Sequence, residues 1–387
     1  MSRHLNITEE ITIERGKIQS LLDILSKKGF QIIGPTVRDH AVVYDEISSV
    51  TELPEGWIDE QSGGNYRLKQ SNGKALFGYT NSPQSWKKYL LTPSKCLLRI
   101  EKDRNGFHVA ENDKDAKKLA FFGVRPCELC AITLQDKALI GHEYGDPIYA
   151  ARRKNTFIIA ANCGQAGGTC FCLSMDTGPK ATTGFDLAMT EVIESGRHYF
   201  VLQAGTEEGT VILKEIPHEK STEAEQKAAE KVVATTARHM GRTLDTKGIK
   251  ELLYRNHENP HWDKIASRCL SCANCTMVCP TCFCTTVQDT TDLVGKEAQR
   301  TQKWDSCFTM DFSYIHGGSI RASAKSRYRQ WMTHKLSSWY DQFGASGCVG
   351  CGRCITWCPV AIDITEEARA IRESELNKMT NVSIKEK

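Results

Sequence analysis

The chain has 387 residues, of which 40% are hydrophobic and 25% charged, and its formal net charge is +3. This composition is typical of a globular protein long enough for two or three domains. The small charge gives no support for nucleic-acid binding, and no stretch approaches the roughly 18 apolar residues of a membrane span. The N-terminal residues lack the pattern of a signal peptide, so we expect a cytoplasmic protein.

Cysteine is the residue that departs from this ordinary composition. The chain contains 17 cysteines, and an odd number in a long chain from a reducing compartment argues against a framework of disulfides. Thiols at this density in such a compartment are more often metal ligands. The cysteines therefore predict metal binding.

The first predicted elements are a helix and a series of short strands. Apolar residues recur at helical spacing between Ile11 and Lys28, and Gly29 is a typical residue after a helix end. From Phe30 to Tyr79 the pattern changes to short β-like runs that Gly, Pro and Asn interrupt. The N-terminal part is therefore expected to mix helix and strand.

A βαβ unit is predicted next. The runs "KLAFFGV", ending at Val124, and "TFIIAANC", ending at Cys163, are typical of buried strands, and "CELCAITLQDKAL" between them has helical periodicity. Parallel strands would place Cys127 and Cys163 at one edge of the sheet, where open α/β sheets hold their sites. The helix N-terminus would also favour the thiolate form of Cys127.

The remaining elements indicate where a second domain begins. "LAMTEVI" and "HYFVLQAG" predict a hairpin, and Thr222 with Glu225 forms a capping box for a helix running to about Met240. Beyond it strand signals are few, and "SIRASAKSRYRQWMTHKLSSWY" and "DITEEARAIRESELNKM" both have helical periodicity. We predict an α/β (or α+β) domain with a mixed sheet over residues 1–220 and a mostly helical, cysteine-rich domain over residues 221–387.

Two copies of the spacing C-x2-C-x2-C-x3-C-P lie in the second domain. They comprise Cys269, Cys272, Cys275, Cys279 and Pro280, and then Cys348, Cys351, Cys354, Cys358 and Pro359. In two-cluster ferredoxins three cysteines of such a run bind one [4Fe-4S] cluster, and the fourth ligates the other cluster. We therefore assign cluster 1 to Cys269, Cys272, Cys275 and Cys358, and cluster 2 to Cys348, Cys351, Cys354 and Cys279.

Structural zinc is the alternative to iron–sulfur at these motifs. Zinc sites usually combine paired C-x2-C units into one tetrahedron, whereas both runs here have the complete ferredoxin spacing. The 68 residues between Cys279 and Cys348 look helical. This favours an all-α, alpha-helical ferredoxin-like dicluster domain whose clusters, because they exchange ligands, lie close enough to relay electrons.

Several stretches outside the common cysteine spacing carry a more specific resemblance. They are "LPEGWIDEQSGGNYRL", "FGYTNSPQSWKKYL", "FFGVRPCELCAI", "GGTCFCLSMDTGP", "CLSCANCTMVCPTCFC", "WDSCFTMDFSYIHGG", "SRYRQWMTHKL" and "GCVGCGRCITWCPVAIDIT". Together they resemble the beta subunit of cytoplasmic NiFe hydrogenases of the sulfhydrogenase type and, more distantly, the A subunit of anaerobic sulfite reductase. The dicluster spacing alone is widespread, and its combination with "GVRPC" and "GGTCFC" is far more specific.

The resemblance implies an iron–sulfur subunit that transfers electrons and holds two [4Fe-4S] clusters. Its partners would be a flavin subunit that binds NAD(P)H and the small and large subunits of a NiFe hydrogenase. No G-x-G-x-x-G follows a strand, and no Walker loop or catalytic triad motif occurs. We therefore expect no flavin, no NAD(P) and no catalytic residue on this chain.

Nine cysteines lie outside the two motifs, and four of them could form a further site. Cys127 and Cys163 meet at the predicted sheet edge, and glycines at 164, 167 and 168 would let the loop return so that Cys170 and Cys172 approach them. Four thiolates could hold a third [4Fe-4S] cluster. The alternatives are a redox-active or persulfide-carrying thiol pair, and cysteines that only fill the core.

The other cysteines and one basic run carry weaker signals. Cys282, Cys284 and Cys307 are expected to line a cluster or to donate weak S–H hydrogen bonds to it, and Cys96 and Cys130 to be core residues. A run of basic residues on a predicted helix is expected to be a solvated face, with a docking surface for a partner subunit as the alternative: Arg321, Lys325, Arg327, Arg329 and His334.

Two functions besides the hydrogenase relay remain open. The chain could be the A subunit of an anaerobic siroheme sulfite reductase, in the same functional class. It could instead belong to a sulfur- or polysulfide-reducing subunit that uses the N-terminal cysteines. A structural zinc protein without redox activity is the remaining alternative.

Overall fold

The computed structural model describes residues 9–104, 106–110 and 117–385. Residues 1–8, which include part of the segment without a signal-peptide pattern, lie outside this range. The strands are β1 (Ile11–Glu14), β2 (Gln31–Arg38), β3 (Ala41–Glu46), β4 (Trp57–Ser62), β5 (Asn65–Gln70), β6 (Ser94–Asp103), β7 (Gly106–Ala110), β8 (Leu119–Val124), β9 (Thr156–Ala161), β10 (Leu187–Glu194), β11 (Arg197–Ala204), β12 (Glu219–Lys220), β13 (Thr285–Thr291), β14 (Glu297–Trp304), β15 (Tyr314–Ile315) and β16 (Gly318–Ser319). The α-helices are α1 (Gln19–Lys27), α2 (Lys87–Leu90), α3 (Pro126–Leu139), α4 (Pro147–Lys154), α5 (Glu207–Glu215), α6 (Glu223–Arg238), α7 (Ile249–Arg255), α8 (His261–Ala266), α9 (Asn274–Met277), α10 (Ala324–Thr333), α11 (Trp339–Phe343), α12 (Arg353–Thr356) and α13 (Ile364–Lys385).

An eight-stranded mixed sheet forms the N-terminal part, as predicted. Its strand order is β12-β1-β11-β10-β9-β8-β2-β3, with a parallel centre from β10 to β2 and antiparallel strands on both sides. Alternate residues of β9 pack on opposite faces, because side chains along a strand point up and down in turn. Phe157 and Ile159 pack in the core that contains α1 and α5, and Ile158 and Ala160 in the core that contains α3 and α4.

The predicted βαβ unit is confirmed. β8 and β9 pair in parallel, and α3 begins at Pro126, two residues after β8 ends. Cys127 therefore lies in the first turn of α3, and Cys163 follows the end of β9 by two residues. The hairpin of β10 and β11 and the capping box of α6 are also as predicted.

The helix predicted from Ile11 is wrong in its first part. Ile11–Glu14 is the strand β1, which pairs with β11, and the helix begins only at Gln19. The side chains of Ile11 and Ile13 are buried in the sheet core. A run of β-branched residues next to an unpaired sheet edge gains more from strand pairing than from one further helical turn.

The all-α prediction for the C-terminal part is also wrong. β13 and β14 form an antiparallel hairpin that joins β6 and β7 in a four-stranded sheet. Most of β13 is exposed, so it has no alternating apolar face that would reveal a strand in the sequence. This sheet connects the two predicted domains, and the boundary near residue 220 stays a prediction.

Helices form the rest of the C-terminal part. α7, α8, α10 and α13 enclose a core that contains Trp262, Trp331 and Met332. One turn of π-helix, His334–Ser338, joins α10 to α11. Among the described residues no helix is long and apolar enough to cross a membrane.

Candidate iron–sulfur sites

The four cysteines assigned to cluster 1 line one cavity among the C-terminal helices. Cys269 and Cys272 lie in a tight loop between α8 and α9, and Cys275 lies in α9 itself. In the loop Ser271 and Ala273 take left-handed backbone conformations with φ of 52° and 67°. The fourth, Cys358, follows α12 and reaches the same cavity. Of the 17 cysteines, all within the described residues, Cys272 alone is exposed, so this site lies at the surface of the chain.

The thiols that raise the pKa of Cys275 most strongly belong to the same set. Burial raises the pKa of the Cys275 thiol, and the neighbouring charges of Cys269, Cys358 and Cys272 raise it further. Four thiolates with no positive ion between them repel one another. Iron bound between them would remove this repulsion, as it does in iron–sulfur proteins.

Two unpaired donors in this cavity also fit an iron–sulfur cluster. The hydroxyl of Tyr328 and the indole Nε1 of Trp331 are buried without a hydrogen-bond partner among the described residues. A buried donor is normally satisfied, and cluster sulfurs accept hydrogen bonds. Among all residues that the structure describes, no three Cys, His, Asp or Glu side chains lie close enough together to bind a single metal ion. A four-iron cluster binds each thiolate to a different iron and needs a wider arrangement.

The cysteines assigned to cluster 2 come together beside this cavity. Burial raises the pKa of Cys354, and the charges of Cys348, Cys351 and Cys279 raise it further, followed by that of Cys275. Cys354 thus neighbours the other three cysteines assigned to cluster 2 and also Cys275 of the cluster 1 set, and the exchange of the fourth cysteine stays a prediction. Cys354 also lines the cavity of cluster 1, so the two sets are neighbours.

Two buried lysines, which belong to no sequence motif, lie next to the cluster 2 set. Lys335 and Lys87 are each only 4% exposed. Burial lowers the pKa of Lys87, whereas for Lys335 the charges of Cys279, Cys282 and Cys348 outweigh burial and raise the pKa. Lys335 could have been noticed because it lies four residues from both Trp331 and Trp339, on the buried side of its helix.

The four N-terminal cysteines also converge. Cys127, Cys170 and Cys172 are buried, and Cys163 is partly buried at the end of β9. Burial raises the pKa of Cys170 to about 12, with Cys163 contributing, and burial together with Cys163 and Cys170 raises that of Cys172. The amide of Asn81 lies 3.9 Å from Cys127 Sγ and 3.8 Å from Cys170 Sγ.

The expectation that the helix N-terminus favours the Cys127 thiolate is wrong for this structure. Burial raises the pKa of Cys127 well above its usual value, and the charges of Cys172, Cys351 and Glu128 add to the effect. The partial charge of a helix end acts over a short range, whereas the loss of solvation at a fully buried thiol is larger.

The N-terminal cysteine set is packed directly against the loop of cluster 2. Phe171 N–H donates to Gly350 O over 2.8 Å, and the side-chain amide of Asn81 donates to Cys351 O over 2.8 Å. A Cβ at Gly350 would lie 2.6 Å from the backbone of Phe171, and one at Gly352 would lie 2.4 Å from Thr169 O. Both glycines have φ near +70°, so this loop needs glycine for its conformation and for the close approach.

A buried ion pair joins the same two regions. Arg353, inside the second cysteine motif, donates to Glu128 Oε1 over 2.8 Å, and the two side chains are 0% and 1% exposed. Tyr44 donates to the other carboxylate oxygen, and Arg353 Nε donates to Ser82 O. No local sequence pattern predicts this ion pair, because its members are 225 residues apart.

Cys282 lies close to Cys279 of the cluster 2 set, and Cys307 lies against Cys284 and near Cys275 of the cluster 1 set. A hydrogen bond from the Cys282 thiol holds the pKa of Cys279 well below its usual value, with Lys335 acting in the same direction. The Cys307 thiol donates to Cys284 and lowers the pKa of Cys284 to about 7. Cys96 and Cys130, expected in the core, are only partly buried.

Two of the five residues in the basic run around α10 pair with neighbouring carboxylates. Lys325 lies 2.9 Å from Asp263, and Arg329 lies 3.3 Å from Glu258. Arg327 is buried and donates to backbone carbonyls and to Ser271 Oγ. This arrangement favours the interpretation as a solvated face over that of a basic docking surface.

Comparison with known proteins agrees with the placement of the cysteines. Residues 268–362 match the 4Fe-4S dicluster domain family. The chain is 29% identical over 343 residues to sulfhydrogenase 2 subunit beta of Pyrococcus furiosus, and the match covers 87% of this chain and 98% of that protein. No solved structure matches. The chain is thus a homologue of a sulfhydrogenase beta subunit and carries an iron–sulfur domain of the 4Fe-4S dicluster family.

Proposed function

We propose that this chain is the iron–sulfur electron-transfer subunit of a cytoplasmic hydrogenase complex. It would relay electrons between a flavin subunit that binds NAD(P)H and the NiFe small and large subunits. The observation that carries the proposal is the grouping of two complete cysteine motifs, one lining a cavity and the other beside it. The homology to a sulfhydrogenase beta subunit supports it.

The residues of the chain have distinct parts in such a relay. The clusters would supply one-electron chemistry, held at set 1 by Cys269, Cys272, Cys275 and Cys358 and at set 2 by Cys348, Cys351, Cys354 and Cys279. The exposure of Cys272 supports a position for set 1 nearest to a partner. The buried Cys279 and Cys351 keep water from set 2. No side chain of this chain is assigned a bond-making step.

A third [4Fe-4S] cluster at Cys127, Cys163, Cys170 and Cys172 belongs to the same proposal. Its support is the mutual proximity of the four thiols and their burial against Gly350 and Cys351. This position, next to cluster 2, would extend the relay from the C-terminal part toward the mixed sheet.

Iron and acid-labile sulfide per chain test both parts of the proposal. The complex is purified anaerobically and its subunits are identified. Iron and sulfide are then counted on this chain after its separation from the partners, because a NiFe partner contains iron of its own. Wild type is compared with Cys172→Ser and with the matched control Cys96→Ser. With four irons per cluster we expect about 12 irons in wild type and in the control, and about 8 in Cys172→Ser. About 8 irons in wild type would remove the third cluster. Zinc without sulfide would overturn the relay, and a siroheme partner would replace the hydrogenase by a sulfite reductase.

A further inference from the structure

Lys335 is a buried cation without an anionic partner of the usual kind. Its Nζ lies 2.9 Å from Thr281 Oγ1 and 3.4 Å from Gly347 O, and both atoms are uncharged. In the described parts of the chain no carboxylate forms an ion pair with it. Burying an ammonium group is costly unless a negative charge compensates it. The structure therefore requires an anion close to Lys335.

The groups that contact Lys335 lie next to cysteines of the cluster 2 set. Thr281 Oγ1, its nearest partner, lies 3.2 Å from Cys279 Sγ. Gly347, its second partner, directly precedes Cys348 in the chain. The lysine projects from the turn of π-helix between α10 and α11, a feature often found at functional sites.

Lys87 approaches the same cysteines from the N-terminal half. Its Nζ lies 3.5 Å from Met277 O and 4.1 Å from the ring centre of Trp304. Cys282 and Cys279 are its neighbouring thiols. Two buried ammonium groups from distant parts of the chain therefore meet at one edge of the cluster 2 set. The lining of the cluster 1 cavity contains neither lysine nor arginine, but the buried Arg327 donates to Ser271 Oγ in the loop of that site.

We propose that Lys335, assisted by Lys87, is the counter-ion of cluster 2 and raises its reduction potential. The inference rests on the proposed function, because it needs cluster 2. Reduction places one more electron, and so one more negative charge, on a cluster. A buried cation stabilises this reduced form more than the oxidised form, because Coulomb interactions are strong where water is excluded.

The test is a redox titration of the anaerobic complex, followed by the EPR signals of the reduced clusters. Lys335→Met removes the charge, and Lys335→Arg retains it. Lys88→Met is the matched control, because Lys88 is a partly buried lysine bound to Tyr44 O and Gln84 Oε1. We expect Lys335→Met to shift the midpoint potential of cluster 2 to lower values while that of cluster 1 stays nearly constant. Lys335→Arg should restore most of the wild-type value, Lys87→Met should give a smaller shift, and Lys88→Met should give none.

The outcomes separate this inference from the proposed function. Loaded clusters with unchanged potentials in Lys335→Met would overturn the role of Lys335 and leave the relay intact. A wild-type complex without iron and sulfide would overturn both. If Lys335→Met does not retain iron, the test uses Lys87→Met and Lys335→Gln instead. Lys335→Gln keeps a hydrogen-bond donor toward Thr281. Unchanged potentials in those two variants would count against the counter-ion.

Discussion

The two cluster sites are built from the same cysteine spacing but have different surroundings. Site 1 lies among the C-terminal helices, with aromatic and aliphatic side chains around it and Cys272 exposed. Site 2 lies in the interior, between Lys335 on one side and the N-terminal segment with Phe171 on the other. The spacing of ligands therefore decides which metal group can bind, whereas the packing around the ligands decides how far the site is shielded and charged.

A second difference follows from this position. Site 1 lies within the C-terminal part and meets the N-terminal part where Gly64 approaches Cys358 O, whereas the loop of site 2 fits closely against the sheet edge that holds Cys127. Damage to site 1 should therefore remain local, and damage to site 2 should spread to the N-terminal part.

The largest effect is expected from removing one ligand at each site. Cys272→Ser should lose about four irons per chain, because a cluster needs its four thiolates, and should leave the signals of the other clusters in place. Cys351→Ser should lose about four irons and also alter the N-terminal site, because Cys351 neighbours Cys127 and Cys172. Iron analysis and EPR of the reduced proteins measure both effects. A loss of eight irons in Cys272→Ser would show that the two sites are not independent.

The next effect concerns the ion pair that holds site 2 against the sheet. Arg353→Met leaves Glu128 buried without its partner, which costs about 3–5 kcal/mol of folding free energy. The double variant Arg353→Met with Glu128→Gln should recover most of this loss, because no uncompensated charge stays buried. Unfolding in urea under anaerobic conditions compares the three proteins. Equal stability of the single and double variants would contradict this account.

The smallest effect is expected at Glu225, remote from both sites. Burial alone would raise its pKa, but hydrogen bonds from the N–H and hydroxyl of Thr222 and from Arg197 outweigh burial, and the pKa is lowered. The folded-state pKa lies below the unfolded value of about 4.3, so the stabilisation is present above that pH and is lost as the pH falls through the folded pKa. Glu225→Gln should cost about 1 kcal/mol at pH 7 and weaken the loss of stability on acidification.

The exposed Glu223 in the same helical turn provides the control for this prediction. Its only ion pair, among the described residues, is with Lys227 one turn later, and such exposed pairs contribute little. Glu223→Gln should leave both the stability at pH 7 and its pH dependence nearly unchanged. The EPR signals of all clusters should be those of wild type in both variants, and a changed signal would show that α6 is coupled to the sites.

Local sequence patterns were sufficient to predict the strands and the helix next to Cys127 and Cys163. The apolar runs of β8 and β9 are buried on both faces, so the βαβ unit and the position of Cys127 and Cys163 could be predicted. The strands β13 and β14 could not, because β13 is largely exposed and β14 has no buried face. β13 pairs with β14, and β14 pairs with β6, almost two hundred residues earlier.

The sequence by itself determined the type of cofactor, the two candidate ligand sets and the mixed sheet, because ligand spacing and strand patterns are properties of short segments. Only the tertiary structure decided that the N-terminal cysteines lie against cluster 2 and that Arg353 meets Glu128. It also decided that Lys335 faces the cysteines instead of solvent. These features depend on contacts between residues far apart in the chain, and burial then gives their charges an importance that a sequence pattern does not show.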